Sequence, residues 1–184
     1  MSIDSKQATE ALNEIDAIVR RVRQSRVYDL ASRMAILWGV LVFAGNIATH
    51  VWPRHGGYIW ITVNAIGVVG TFAVSAFGYP RTAERPLDMR ALVAFLLFFA
   101  FGHFFTTVLG HFSPRQLGTF WPIYFMLLYS IAGLWMGYAF IAIGLGITAL
   151  TLIGYYFSGD WFALWMAVVN GGGLVLGGLW MRRS

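Results

Sequence analysis

The chain of 184 residues contains no cysteine. That excludes disulfides, thiolate metal sites and cysteine nucleophiles, and it leaves the redox compartment open. Charge is scarce as well: 11% of residues are Asp, Glu, Lys or Arg, against about 25% in an ordinary soluble domain. A surface so short of charge cannot all face water. There is no His-Glu-x-x-His motif, no phosphate-binding glycine loop with its lysine and no Gly-x-Ser-x-Gly elbow. Three widespread kinds of hydrolytic site therefore have no signature here, and the expectation is a protein that is not an enzyme. No Asp or Glu falls inside an apolar run, which disfavours a pump built on a buried carboxylate.

What fills the chain is apolar. Hydrophobic residues make up 58% and aromatics 17%, with a mean hydropathy of +0.66. A membrane-crossing helix needs about 20 apolar residues, and six such runs are expected, at about 34–51, 58–78, 91–112, 119–137, 139–157 and 161–181. The first ends where Trp52-Pro53 forbids further helix, because proline lacks the N–H and pushes its predecessor out of the α region. Residues 118–157 carry no charge at all. That stretch is too long for one crossing, and the glycines near Gly133–Tyr138 place the turn there.

Residues 5–30 read as an amphipathic helix lying on the cytoplasmic membrane surface. Leu12, Ile15, Val19 and Val22 recur at helical spacing, with Glu10, Glu14, Asp16, Arg20, Arg21 and Arg23 on the polar side. Arg20, Arg21, Arg23, Arg26 and Arg33 precede the first apolar run, where each attracts anionic headgroups by about 1 kcal/mol. The expected organisation is thus a cytoplasmic basic segment, 1–32, and an all-α transmembrane bundle, 33–184. The same segment is a candidate docking site for a membrane or cytosolic protein partner, and a homo-oligomer is also open.

Six crossings bring both termini to one side. With that side cytoplasmic, Lys6, Arg20, Arg21, Arg23, Arg26, Arg33, Arg81, Arg85, Arg90, Arg182 and Arg183 are inside, and only Arg54 and Arg115 are outside. Retention of Lys and Arg in the cytoplasm favours this orientation. It also accounts for a pI near 9.9 without a nucleic-acid partner. Trp38, Trp135 and Trp180 fall near inner ends, and Trp52, Trp60, Trp121 and Trp161 near outer ends, the headgroup level that indoles prefer.

The two outer arginines belong to a repeat. HVWPRHGGYIW at 50–60 and HFSPRQLGTFW at 111–121 both read His-x-x-Pro-Arg-x-x-Gly-x-x-Trp. The expected consequence is a tandem parallel repeat of two hairpins, with His50 matching His111 and Arg54 matching Arg115. Interfacial residues and loop punctuation account for such a pattern without any ligand. The functional alternative is a site built where the copies converge: imidazoles for haem b or a divalent metal, guanidiniums for a carboxylate, a phosphate or a lipid headgroup. His103 lies eight residues before His111 and is expected on the same helix near mid-membrane. It is a candidate ligand or solute-path residue, or a neutral histidine bonded to a neighbouring helix. Asn46, Asn64 and Asn170 are expected to bond across helices. Gly133 with Gly137, Ala163 with Ala167 and Gly171, and Gly173 with Gly177 recur four apart, a spacing that lets helix backbones approach. The run Asn170-Gly171-Gly172-Gly173 is expected either to loosen the last helix or to pack it closely.

With its basic amphipathic start and a glycine-rich last span ending GGLWMRR at 177–183, the chain resembles the small polytopic membrane proteins found widely in bacteria. The resemblance implies a bacterial inner-membrane location and no particular activity. The leading expectation is a scaffold, accessory subunit or regulator. The alternative is a small-ligand protein or a small-solute transporter.

Overall fold

The computed structural model describes the backbone of residues 5–78 and 89–183, with side chains at 14, 15, 18, 22, 25, 27–76 and 93–183. Among the described residues every regular element is helical: α1 (Ser5–Val51), α2 (Gly56–Gly78), α3 (Met89–Val108), α4 (Pro114–Met136), α5 (Tyr138–Phe157) and a last span made of α6 (Phe162–Met166), a π-helical turn (Ala167–Gly172) and α7 (Gly173–Met181). Five segments are long and apolar enough to cross a bilayer: Val27–Val51, Pro53–Ala76, Pro114–Met136, Tyr138–Phe157 and Gly159–Met181. This is the make-up of a multi-pass membrane protein. In α3 the apolar stretch that qualifies, Val93–Val108, is shorter.

Two boundaries differ from expectation. The polar segment and the first span are not separate helices, because α1 runs unbroken through 47 residues, about 70 Å at about 1.5 Å per residue. A helix lying on the membrane surface would have to turn sharply before entering the bilayer. Sharp turns in helices are made at proline, at glycine–serine pairs or at π-bulges, and residues 5–33 contain no proline and no glycine. The third helix stops at Val108 rather than 112. Residues 109–113 instead form the lead-in to α4, whose start is fixed by Pro114 and a capping box. The Ser113 hydroxyl accepts from the Gln116 N–H at 3.3 Å, and the Gln116 side chain accepts from the Ser113 N–H at 2.8 Å. Such a reciprocal pair satisfies two donors that a helix start leaves open. The α4–α5 break falls at Gly137, whose φ of 130° is a conformation L side chains avoid.

The helices pack in the order α2, α1, last span, α5, α4, α3, each mainly against its neighbours in that row. The last span is the most enclosed, with 44% of its apolar window buried against 11% for α2. Small residues set the distances. A Cβ on Gly171 would lie 2.6 Å from the backbone of Phe43, and one on Gly39 would meet the Gly171 carbonyl at 2.8 Å. On the other side of the last span, Gly173 and Gly177 seat the side chains of Ile147 and Ile143. Lipid is as apolar as these side chains, so contact and shape hold such seams rather than escape from water. The glycine run acts in both expected ways: the last span is wound wide at the π-helical turn, and Gly171 within that turn makes the closest approach to α1.

The third helix is held differently, by an aromatic cluster. The Phe98 ring stacks on Tyr124 at 4.0 Å, Phe105 stacks on Phe120 at 5.5 Å, and the Tyr124 hydroxyl donates to the Phe98 carbonyl at 3.0 Å. Its buried positions, Gly102 and Thr106, are one turn apart and continue the half-buried Phe98 along one stripe. The other described side chains of the helix, from Val93 to Val108, are exposed.

Candidate functional site at the hairpin end

Three hairpins meet at one end of the bundle. His50 occupies the last turn of α1, and its ring stacks on Trp161 with centroids 5.9 Å apart and planes at 23°. After Val51, Pro53–His55 form a 3-10 turn that opens α2, leaving Arg54 and His55 exposed. In the second copy Pro114 opens α4 directly, so Arg115 sits in the first helical turn and not in a loop. One sequence pattern has thus been folded in two ways.

The two arginines diverge accordingly. Arg115 is half-buried and donates from one guanidinium nitrogen to the carbonyls of Gly154 at 3.2 Å and Tyr155 at 2.5 Å. Its guanidinium lies over the rings of Tyr155 at 5.5 Å and Phe162 at 5.2 Å. The last carbonyls of a helix have no partner within it and carry partial negative charge. Arg115 therefore caps α5 and ties the starts of α4 and α6 to its end. Charge-assisted bonds of this kind are about twice as strong as neutral ones. The Gln116 that replaces His55 in the second copy serves the capping box described above.

The packing gives no support to the alternative in which the two copies converge on one site. α1 and α4 share no extensive face, since the last span and α5 lie between them. His50 and His111 make no ring contact, and both are exposed. The third hairpin, which lacks the motif, is the piece that joins them: Trp161 covers His50, and Phe162 lies under Arg115. Among the described residues no three of His, Asp and Glu come together in a way that could hold a metal ion, and this arrangement lends no support to haem or metal ligation.

His103 is likewise moved. Since α3 ends at Val108, His111 is not on the same helix, and His103 stands five residues before the helix end, about 8 Å along the axis. It is exposed, next to the Gly102 and Thr106 positions that pack on α4, and its carbonyl accepts from the Thr106 and Thr107 hydroxyls. Two of the three asparagines also depart from expectation. Asn46 and Asn64 donate back to the carbonyls of Val42 and Trp60, four residues earlier on their own helices, at 2.9 and 2.7 Å. Asn170 is buried within the π-helical turn. The side chains of Arg20, Arg21, Arg23 and Arg26 lie outside the described residues.

Sequence reasoning took Trp161 only as an interfacial anchor and missed Phe162, Tyr155 and Trp165, which with it organise this end. Their only signal was aromatic character beside a glycine turn, which membrane interfaces share generally. No protein-family model, curated protein or solved structure matches the chain.

Proposed function

We propose that the protein is a non-enzymatic scaffold, accessory subunit or regulator of a bacterial inner membrane, acting through the cytoplasmic continuation of α1. The observation that carries this reading is the unbroken helix. Val27–Val51 accounts for the crossing, which leaves residues 5–26 as a rod of about 33 Å beyond it at about 1.5 Å per residue. On that rod Ile15, Ile18 and Val22 are 56%, 54% and 48% exposed. Three branched apolar side chains at helical spacing form a stripe that water does not favour, and a helix laid into a groove or against another helix is recognised by such a stripe.

The orientation follows from charge. With α3 read as a sixth crossing, eleven of the 13 Lys and Arg fall on the side of the termini, and retention of Lys and Arg in the cytoplasm favours both termini lying there. The arginines from 20 to 33 then stand at headgroup level, where anionic lipid holds the base of the rod. The repeat is read as the remnant of two hairpins that once matched, with one arginine kept as a helix clip and the other as an interfacial anchor.

The test is a comparison of in-cell crosslinks made by the full chain and by an Ile15→Asp/Val22→Asp variant. The expected result is loss of the wild-type protein adducts with unchanged membrane insertion and unchanged bundle stability. Identical adducts in both proteins would overturn the reading. So would a Soret band or bound metal in protein from haem-replete cells that His50→Ala abolishes.

A further inference from the structure

Pro122 stands inside α4. Lacking an N–H, it cannot bond the carbonyl four residues earlier, that of Gly118. An open carbonyl between membrane-crossing helices is costly. Such prolines persist where a neighbouring helix, a Ser or Thr side chain or an ordered water takes up the freed group.

The facing helix supplies a hydroxyl at that level. α4 and α5 run in opposite directions from the Gly137 turn, and a Cβ on Gly144 would meet the Met126 carbonyl at 2.8 Å. Two turns further out on each helix, the same register sets Thr119 and its neighbour Gly118 against Thr151. Thr151 is wholly buried. Its hydroxyl also behaves unlike those around it. Thr119, Ser130 and Thr148 each donate to the carbonyl four residues earlier on their own helix, whereas the Thr151 Oγ1 finds no partner among the described residues. The last span closes the corner: a Cβ on Gly118 would lie 3.2 Å from the Phe162 ring. The Arg115 guanidinium covers that same ring, and its Nε is a second buried donor without a partner among the described residues.

The chemistry of the corner selects its guest. No Asp or Glu occurs in α4 or α5, so a cation there would lack a countercharge. An anion would face the Gly118 carbonyl. An apolar guest would leave both open groups unbonded, and the enclosure of Thr151 bars a lipid headgroup. A water molecule both donates and accepts, and buried waters typically make about three hydrogen bonds to groups otherwise left unsatisfied.

We propose that one water molecule is built into this corner, accepting from the Thr151 hydroxyl and donating to the Gly118 carbonyl. α5 thereby makes good the bond that Pro122 removes from α4. The site lies within the stretch 118–157 that carries no charge, so a crossing that is uniformly apolar by composition has a hydrated point inside it.

Solid-state NMR of the full chain in lipid bilayers tests this without a variant. Magnetisation that starts on water is expected to reach Thr151 and Gly118, and not Leu145, which is exposed toward lipid on the same helix. No transfer to Thr151 would overturn the proposal, whether the hydroxyl then bonds the carbonyl directly or stays unpaired. Thr151→Val gives a second reading, because it keeps the shape of the side chain and removes the hydroxyl. Beside a bound water it strands bonding groups and is expected to lower the unfolding midpoint in dodecyl sulfate. In a dry corner it removes an unpaired group and raises that midpoint. Pro122→Ala returns an N–H to the Gly118 carbonyl, so Thr151→Val is expected to shift the midpoint less in that background. A raised midpoint, or equal shifts in both backgrounds, would overturn the proposal as well.

Discussion

Gly171→Ala adds one methyl group, yet the seam between α1 and the last span leaves no room for it. The new Cβ would sit 2.6 Å from the Phe43 backbone, where ordinary contact begins at 3.4 Å. Backbone cannot rotate aside, so α1 would have to retreat by roughly the 0.8 Å difference between those two distances. A gap of about 0.5–1 Å forfeits a quarter to a half of each dispersion contact it opens. That loss would spread along a seam reaching from Gly178 against Ser32 to Gly171 against Phe43. Overpacking of this kind costs about 1–3 kcal/mol. The neighbouring position is the control. A Cβ on Gly172 has its nearest neighbour at 4.0 Å, the Ala167 carbonyl, and its φ and ψ of −62° and −41° suit alanine. Gly172→Ala is therefore expected to be neutral, or stabilising by up to about 1 kcal/mol through helix propensity. Gly39→Ala should behave like Gly171→Ala, and the double variant should cost less than the sum, because the first methyl already parts the helices. Unfolding in mixed micelles with increasing dodecyl sulfate, followed by circular dichroism, gives the comparison. Equal stability of Gly171→Ala and Gly172→Ala would refute the reasoning.

The same unfolding assay checks three more expectations. Arg115→Ala removes charge-assisted bonds to the end of α5 and should cost about 1.5–3 kcal/mol, whereas Arg54→Ala, at an exposed position, should change stability by no more than about 0.5 kcal/mol. Tyr124→Phe keeps the ring stack on Phe98 but loses the hydroxyl's bond to the Phe98 carbonyl, an expected loss of about 0.5–1.5 kcal/mol accompanied by faster proteolysis of α3. Asp29→Ala breaks the ion pair with Arg33, whose members are each 47% exposed, and should cost no more than about 0.5 kcal/mol.

Five of the six expected crossings were legible because hydrocarbon demands long apolar runs, and the Gly137 turn was legible because little else than glycine accepts its geometry. The end of α3 was not. Hydropathy continues through Leu109, Gly110 and Phe112, and the boundary comes from hydrogen bonds that Ser113 and Gln116 make to start the next helix. Neighbour relations were hidden for a deeper reason. In lipid an outward face and an inward face are equally apolar, so α3 and α5 carry no amphipathic signal of which side packs. Small residues were the surviving clue, and Gly171, Gly173 and Gly177 do mark the faces of the last span. The His-Arg repeat misled because a matching string does not imply matching structure: Pro53 opens a 3-10 turn and Pro114 opens a helix. The unbroken α1 was masked by a change of polarity near residue 27. That change alters the solvent a helix prefers without supplying anything to bend it.

The functional reading rests on α1 being one rod, and the cysteine-free chain makes the direct measurement simple. Spin labels on cysteines placed at Glu14 and Val40, both exposed, are 26 residues apart. Electron–electron double resonance on protein in lipid nanodiscs should give one narrow distance near 39 Å at about 1.5 Å per residue. A helix folded flat onto the membrane by a right-angle turn near residue 30 would bring the labels to about 28 Å on the same rise per residue. That shorter distance would contradict the account.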